Sequence, residues 1–206
     1  MDLKPYIGPT LAVLFVCSAS SVLAQSAPPA TRPTLTLAVG AGLSGYNPDF
    51  RHGHLLGGTL WIDYTLPHMP YFMHGIGLEA EGRDLNYGHS GTEPPVLRED
   101  TALGGVFYSW PRYYKFRPYA KAMLGYGNTD YMLSRLPWNR QSRTITGAGG
   151  GVDYRLTQKI WLRVDYEYQS WPTFFKHFNN IPPAGRLNPQ GFTIGAMYHF
   201  SRSRYH

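Results

Sequence analysis

Acidic and basic residues alternate with apolar residues in several stretches of the chain, and these charges are the first candidates for chemistry. In residues 160–169, for example, Arg163, Asp165 and Glu167 alternate with large apolar side chains. Two such carboxylates can act as a general acid and a general base. The full set mixes acids with bases, however, and unpaired charges in an interior would cost on the order of several kcal/mol each. We therefore predict a structural ion-pair network instead of a catalytic acid pair. Its predicted members are Asp63, Glu79, Glu81, Arg83, Lys121, Asp153, Arg155, Arg163, Asp165 and Glu167.

Histidine and cysteine are the next candidates, because they bind metals and act as bases or nucleophiles. The chain has eight histidines and one cysteine, Cys17. His52 and His54 lie two residues apart, but the histidines show no closed zinc-site spacing and no HExxH motif. The chain also lacks the GxSxG motif of serine hydrolases. We expect no metal, no cofactor and no catalytic residues.

The N-terminus has the features of an export signal. Lys4 precedes an apolar stretch over residues 10–23, and Val22-Leu23-Ala24 provides a small-residue cleavage site before Gln25. We predict a cleaved signal peptide over residues 1–24 and a Pro-rich connector over residues 25–33. Since the predicted mature chain has no cysteine, burial or a membrane must stabilise it in place of disulfides.

The chain carries a net charge of +6. Its basic residues are scattered through the predicted loops and turns, without the Lys/Arg runs or basic helices that bind nucleic acid. We therefore expect no nucleic-acid partner. Anionic lipid head groups are the expected partner of an exported protein with this charge.

From residue 34 onward the dominant pattern is alternation of apolar residues with small or polar ones, which is the period of a β-strand. In residues 191–200, Phe192, Ile194 and Tyr198 alternate with Thr193 and His199. Stretches with this pattern lie at about residues 34–45, 56–66, 72–83, 100–110, 119–131, 144–156, 160–169 and 191–200.

The fourth stretch is ambiguous, because two sets of large apolar residues compete for its apolar face. Leu103 and Phe107 belong to one set, and Val106 and Tyr108 belong to the other. A β-bulge near Gly104-Gly105 would bring both sets to the same face. The sequence leaves the phase of this strand open.

Short and long connections alternate between the stretches, as in an up-and-down barrel of the bacterial outer membrane. The polar faces carry small residues and opposite charges, which suit the narrow bore of an eight-stranded barrel, while the apolar faces carry almost no charge and suit lipid. The predicted fold is all-β, an eight-stranded antiparallel up-and-down transmembrane β-barrel over residues 34–200. The alternative is a soluble lipocalin-like barrel with its apolar face inward.

Trp and Tyr residues gather near the predicted strand ends, where they would form two girdles at the membrane interfaces. The set at the end with short turns is Tyr64, Tyr71, Trp110, Tyr113, Tyr114, Tyr119, Tyr154 and Tyr198. The set at the end with long loops is Tyr46, Tyr87, Tyr126, Tyr131, Trp138, Tyr168 and Trp171.

The last stretch also carries a motif, Thr193-x-Gly195-x-x-Tyr198-x-Phe200. It resembles the polar-x-Gly-x-x-aromatic-x-aromatic signal by which the barrel-assembly machinery recognises unfolded outer-membrane proteins. The chain from residue 34 onward is similar to the small OmpA/OmpX-type outer-membrane β-barrel domains. This resemblance implies the outer membrane of a Gram-negative bacterium as the location, and the assembly machinery as a partner during biogenesis. Residues 201–206 form a short C-terminal tail after the motif.

The resemblance implies no single activity, and the residues favour a non-enzymatic role. Some small outer-membrane barrels modify lipid A with a Ser and a His, but here the nearest pair, His89-Ser90, is adjacent in sequence and would point to opposite faces of a strand. We predict a monomer with a structural or surface-interaction role, in envelope integrity or adhesion, through four extracellular loops. A narrow pore and a lipid A-modifying enzyme are the alternatives. The predicted contacts with lipopolysaccharide are Arg135, Arg140, Arg143, Lys176 and Arg186.

Overall fold

Strands make up nearly all of the chain that the computed structural model describes, namely residues 37–49, 54–67, 69–70, 73–87, 97–110, 115–131, 139–174 and 185–200. The strands are β1 (Leu37–Asn47), β2 (Leu55–Thr65), β3 (Ile76–Tyr87), β4 (Leu97–Ser109), β5 (Phe116–Tyr131), β6 (Asn139–Arg155), β7 (Ile160–Phe174), β8 (Gly185–Leu187) and β9 (Gln190–Phe200). Within these ranges no helix is long and apolar enough to cross a membrane. The predicted signal peptide, the connector and the C-terminal tail lie outside the described residues.

The strands close into a barrel. Antiparallel pairing runs in the order β6-β5-β4-β3-β2-β1-β9-β7, and β6 also pairs with β7, which completes the circle. This arrangement of eight long strands confirms the predicted fold. We call the end with the β2–β3, β4–β5 and β6–β7 connections the turn end, and the opposite end the loop end.

The eighth long strand is preceded by a separate short strand. β8 pairs with the far end of β7, and only Asn188 and Pro189 separate it from β9. Proline has no N–H to donate to a neighbouring strand. Its carbonyl accepts a hydrogen bond from the Gln169 amide at 2.8 Å. The sheet therefore continues past the loop end of β9, but with an interruption at the proline.

The predicted apolar faces lie on the outside of the barrel. Leu43 is 77% exposed, Leu60 is 66% exposed and Ile194 is 64% exposed. Their neighbours Ser44, Thr59 and Thr193 are buried inside. A soluble barrel with an apolar core would show the opposite arrangement, so the burial pattern excludes the lipocalin-like alternative and provides an apolar band for lipid.

Strand β4 is regular and has no bulge near Gly104-Gly105, so the structure settles the phase that the sequence leaves open. Pairing with β3 and with β5 continues through Gly104 and Gly105 without a register shift. Leu103 and Phe107 point into the barrel, where they are buried, while Val106 is 51% exposed on the outside. Both faces of β4 are apolar because part of the lumen is filled by apolar side chains.

Three aromatic residues assigned to the interfacial girdles lie in the lumen instead. Tyr46, Tyr119 and Trp171 are at most 4% exposed. Each stands two residues from a buried polar lumen residue on the same strand, so the period of two turns it inward. The outward orientation that the girdles require is present in Tyr64, Tyr87, Trp110, Tyr126, Tyr168 and Tyr198, which are exposed.

Large aromatic rings fit inside the barrel because glycines face them from neighbouring strands. The Trp61 indole covers Gly40 and Gly195, and the Trp171 indole covers Gly127. A Cβ at Gly195 would lie 2.6 Å from the Trp61 ring, and one at Gly40 or Gly127 would overlap the ring that covers it. The glycines thus provide the space that an eight-stranded bore otherwise lacks.

Candidate functional site in the barrel lumen

The inward positions of five strands bring most of the predicted charged residues together. Because alternate residues of a strand share a face, Glu79, Glu81 and Arg83 all point into the lumen from β3. The other strands contribute in the same way. Asp63 comes from β2, Lys121 from β5, Asp153 from β6, and Arg163, Asp165 and Glu167 from β7.

Lys121 occupies the centre of the charged cluster. Its ammonium Nζ lies 3.0 Å from Glu79 Oε1, 2.9 Å from Glu81 Oε2, 2.7 Å from Asp165 Oδ2 and 3.1 Å from Glu167 Oε2. The Lys121 side chain is 1% exposed. One buried cation therefore compensates carboxylates that come from the two strands β3 and β7.

Arg163 forms a second centre towards the turn end. Its guanidinium binds Asp63 Oδ2 at 2.6 Å, Glu79 Oε2 at 3.0 Å and Asp153 Oδ1 at 2.8 Å. The same guanidinium lies 4.5 Å from the centre of the Tyr119 ring. Since Glu79 also binds Lys121, the two centres form one continuous network.

Arg83 extends the network towards the loop end. Its guanidinium pairs with Glu81 and Glu167, donates to Thr59 Oγ1 at 3.3 Å, and lies 4.2 Å from the centre of the Tyr46 ring. From Glu167 the hydrogen bonds continue through Gln169 Nε2 and then Trp171 Nε1, each at 2.8 Å. The polar groups of this part of the lumen are linked across the barrel.

Apolar clusters pack against the charged network. Tyr46, Leu55, Leu85 and Leu97 form one at the loop end. Ala38, Trp61, Trp161 and Met197 form another towards the turn end. The third consists of Leu103, Met123, Ile145, Trp171 and Leu187. We expected small or paired polar residues to fill the bore, and the structure adds these large apolar side chains.

Three of the lumen carboxylates are close enough together to bind a metal ion. Glu81, Asp165 and Glu167 can bring one oxygen each within 4.8 Å of one another. Lys121 Nζ is already bonded to all three. The ammonium thus compensates the charge that would otherwise attract a divalent cation.

Several charged residues differ from the predicted network. Arg155 lies near the turn end, where its Nε donates to the Thr157 carbonyl at 3.4 Å. The predicted network left out Glu99 and His199, which are buried on inward faces, and Arg117, which precedes the predicted fifth stretch and lines a lumen cavity. Alternation already sets His199 on the face of Thr193, opposite the apolar residues, and extending the fourth stretch by one residue would have placed Glu99 inside, on the face of Thr101.

The motif of the last strand has two faces. Tyr198 and Phe200 point outward, with their ring centres 5.0 Å apart. Thr193 points inward and shares a hydrogen bond with Ser44 at 2.7 Å. The motif residues are therefore divided between the outer wall and the lumen.

Only part of the predicted lipopolysaccharide-binding set falls in the described residues. Arg186 is exposed, and its Nε donates to Ser170 Oγ at 2.8 Å. Arg143 is half-buried on the inward face of β6, and the backbone of Arg140 lies opposite that of Asp130 in the β5–β6 register. Arg135, Lys176 and the pair His89-Ser90 lie outside the described residues.

Several solved structures of bacterial outer-membrane proteins share this fold. Neisserial surface protein A is 12% identical with a TM-score of 0.60, and the match covers 80% of this chain and 96% of that one. OprG from Pseudomonas aeruginosa is 13% identical with a TM-score of 0.53, covering 80% and 95%. Ail of Yersinia pestis, in complex with the heparin analogue sucrose octasulfate, is 14% identical with a TM-score of 0.51, covering 80% and 97%.

Sequence comparison identifies the family. No curated protein matches the sequence of this chain. The family model described as "Outer membrane protein beta-barrel domain" matches residues 10–200. This match spans most of the chain and agrees with the closed barrel and its apolar outer face. The chain therefore belongs to the outer membrane protein β-barrel domain family.

Proposed function

We propose that this protein is a non-enzymatic outer-membrane barrel with a closed lumen that acts in envelope integrity or adhesion through its outer wall and loops. The observation that carries the proposal is the filling of the lumen. Lys121, Arg163 and Arg83 hold the carboxylates together across the barrel, and apolar clusters pack against them. An ion crossing this interior would have to separate buried ion pairs, which is costly.

The outer wall supports contact with anionic lipid at the loop end of β7. Arg186 is held by Ser170, which lies two residues beyond the exposed Tyr168 on the same face of the strand. Phe192 on β9 is 59% exposed nearby, opposite Tyr166 of β7. An arginine just beyond lipid-facing aromatic rings is suited to bind phosphate groups at the membrane boundary.

The other side of the wall is less suited to bind an anion. Arg98 on β4 binds Asp84 at 2.8 Å and Asp100 at 3.1 Å. Two carboxylates already neutralise this guanidinium. Ail, which shares this fold, was solved in complex with a sulfated heparin analogue. We therefore include anionic sugars among the partners to be tested for this chain. We propose lipopolysaccharide phosphates, contacted by Arg186 together with Arg135, Arg140 and Lys176.

A closed lumen predicts no stepwise ion conductance when the folded protein is inserted into planar lipid bilayers. The test uses protein purified from outer membranes in detergent, with a known porin in the same bilayer as a positive control. Folding is verified first by the gel shift between unboiled and boiled samples. Discrete current steps that scale with the amount of folded protein would disprove the closed lumen and favour the pore.

Replacing Arg186 with glutamine is expected to weaken binding of lipopolysaccharide by about two- to five-fold, since exposed ion pairs contribute only modestly. Binding is measured in lipid nanodiscs with fluorescently labelled lipopolysaccharide, at low and at moderate salt, because salt screens exposed charges. Arg98→Gln is the matched control and should leave binding unchanged, because Arg98 is already paired. Equal affinity of the wild type and the Arg186 variant at both salt concentrations would remove Arg186 from the proposed contact.

A further inference from the structure

A small cavity lies towards the turn end of the lumen, below the Arg163 centre. It is lined by Ala38, Asp63, Thr65, Phe107, Arg117, Asp153 and His199. About 10 Å³ is open to the centre of a water molecule. Roughly 10–15 Å³ on this measure holds one water. The cavity is therefore of the right size for a single small ligand.

Three residues that line the cavity have buried polar atoms without a protein partner. Both ring nitrogens of His199 lack one, although the residue is only 4% exposed. Asp63 Oδ1 and Arg117 Nε lack one as well. Buried polar groups in folded proteins are nearly always hydrogen-bonded, and an ordered water is the usual partner when the protein provides none.

The charges around the cavity favour a neutral ligand. Arg117 is the lining arginine, and the two lining carboxylates of Asp63 and Asp153 both also bind Arg163 above the cavity, so two guanidinium groups face these two carboxylates. A metal ion or a free anion would upset this balance in a buried site.

The hydrogen-bonding groups match those of water. A neutral imidazole has one donor and one acceptor, Arg117 Nε–H is a donor, and Asp63 Oδ1 is an acceptor. Together they offer two donors and two acceptors. A water molecule has two donors and two acceptor sites. Because the two imidazole nitrogens point away from each other, a single water can bond one ring nitrogen of His199 together with Arg117 Nε–H and Asp63 Oδ1.

We propose that this cavity is a binding site for one structural water, held by His199, Asp63 and Arg117. These residues belong to β9, β2 and β5. The water thus connects the last strand to two strands, β2 and β5, with which it does not pair. His199 lies between Tyr198 and Phe200 but points the other way, so β9 presents its motif aromatics outward and is fastened to the barrel through its inward face.

The test compares the wild type with Ala38→Val, whose added methyl groups would fill the cavity. Ala41→Val is the matched control, because Ala41 lies on the outer face of the same strand. High-resolution crystal structures and water relaxation dispersion of the detergent-folded proteins are the measurements. We expect one ordered, long-lived water beside His199 in the wild type and in the control. We expect the Ala38 variant to lose that water and to unfold at a lower urea concentration than the control.

Two results would overturn the proposal. One is an empty cavity, or a bound ion in place of water, in the wild-type crystal structure. The other is an equal number of long-lived waters in the wild type and in a folded Ala38 variant. Because the wild-type structure decides the first point alone, the proposal stays testable even if the variant does not fold.

Discussion

Replacing Lys121 with methionine is expected to lower the free energy of unfolding by about 3–5 kcal/mol, or to prevent folding altogether, because it leaves buried carboxylates without their cation. Methionine has a similar length, so the change removes the charge and leaves little void. The carboxylates of Glu79, Glu81, Asp165 and Glu167 all lie within 3.1 Å of Nζ. Neighbouring arginines satisfy three of them in part, but they lie outside the centre of the cluster.

Urea unfolding in lipid vesicles, followed by tryptophan fluorescence and by the gel shift of unboiled protein, measures this effect. Lys115→Met is the matched control, because Lys115 lies exposed in a turn. Adding Glu81→Gln to the Lys121 variant should restore part of the loss, since one repelling charge is removed. If the Lys121 variant unfolds at the same urea concentration as the control, the network does not stabilise the barrel.

Replacing Gly40 with alanine is expected to cost about 1–3 kcal/mol, the usual effect of overpacking a core. The new Cβ would overlap the indole of Trp61, which is 2% exposed. The indole cannot easily move away, because Gly195 lies beneath it and the Arg163 guanidinium is 5.2 Å from the centre of its ring.

The same urea experiment tests this prediction, with Gly82→Ala as the control. Gly82 lies on the outer face of β3, and a Cβ there would have nothing within 4 Å. Its replacement should change stability by no more than about 0.5 kcal/mol. Equal effects of the two substitutions would show that strand propensity, and not contact with the Trp61 ring, determines the cost at Gly40.

The fold was predictable wherever one face of a strand is clearly apolar. In β7 the branched aliphatic residues Ile160, Leu162 and Val164 lie on one face and the charges on the other, so the period of two defined inside and outside even though Trp161 joins the charges in the lumen. In β4 this signal failed, because Leu103 and Phe107 inside compete with Val106 and Tyr108 outside. Pattern reasoning assumes that one face is polar, and a partly apolar lumen breaks that assumption.

The sequence predicts which residues point into the lumen, but it does not predict which of their charged groups form ion pairs with one another. Alternation indicates that Lys121 and Asp165 point inward, but their contact depends on how β5, β6 and β7 are staggered around the closed barrel. That stagger is a property of closure and cannot be derived from a single strand. For the same reason, the cavity beside His199 has no sequence signal, since it is formed by residues from β1, β2, β4, β5, β6 and β9.

The bonds of Lys121 to both β3 and β7 have a consequence for how the barrel enters the bilayer. A partly inserted sheet that contained β3 but not yet β7 would present bare carboxylates to hydrocarbon and leave the ammonium only half compensated. The free energy of such intermediates is highest just before closure, when most of the charged strands are inserted but not yet paired. It falls when the final strands join and the ion pairs form. Insertion should therefore be cooperative, with few stable stages between an unfolded chain at the membrane surface and the finished cylinder.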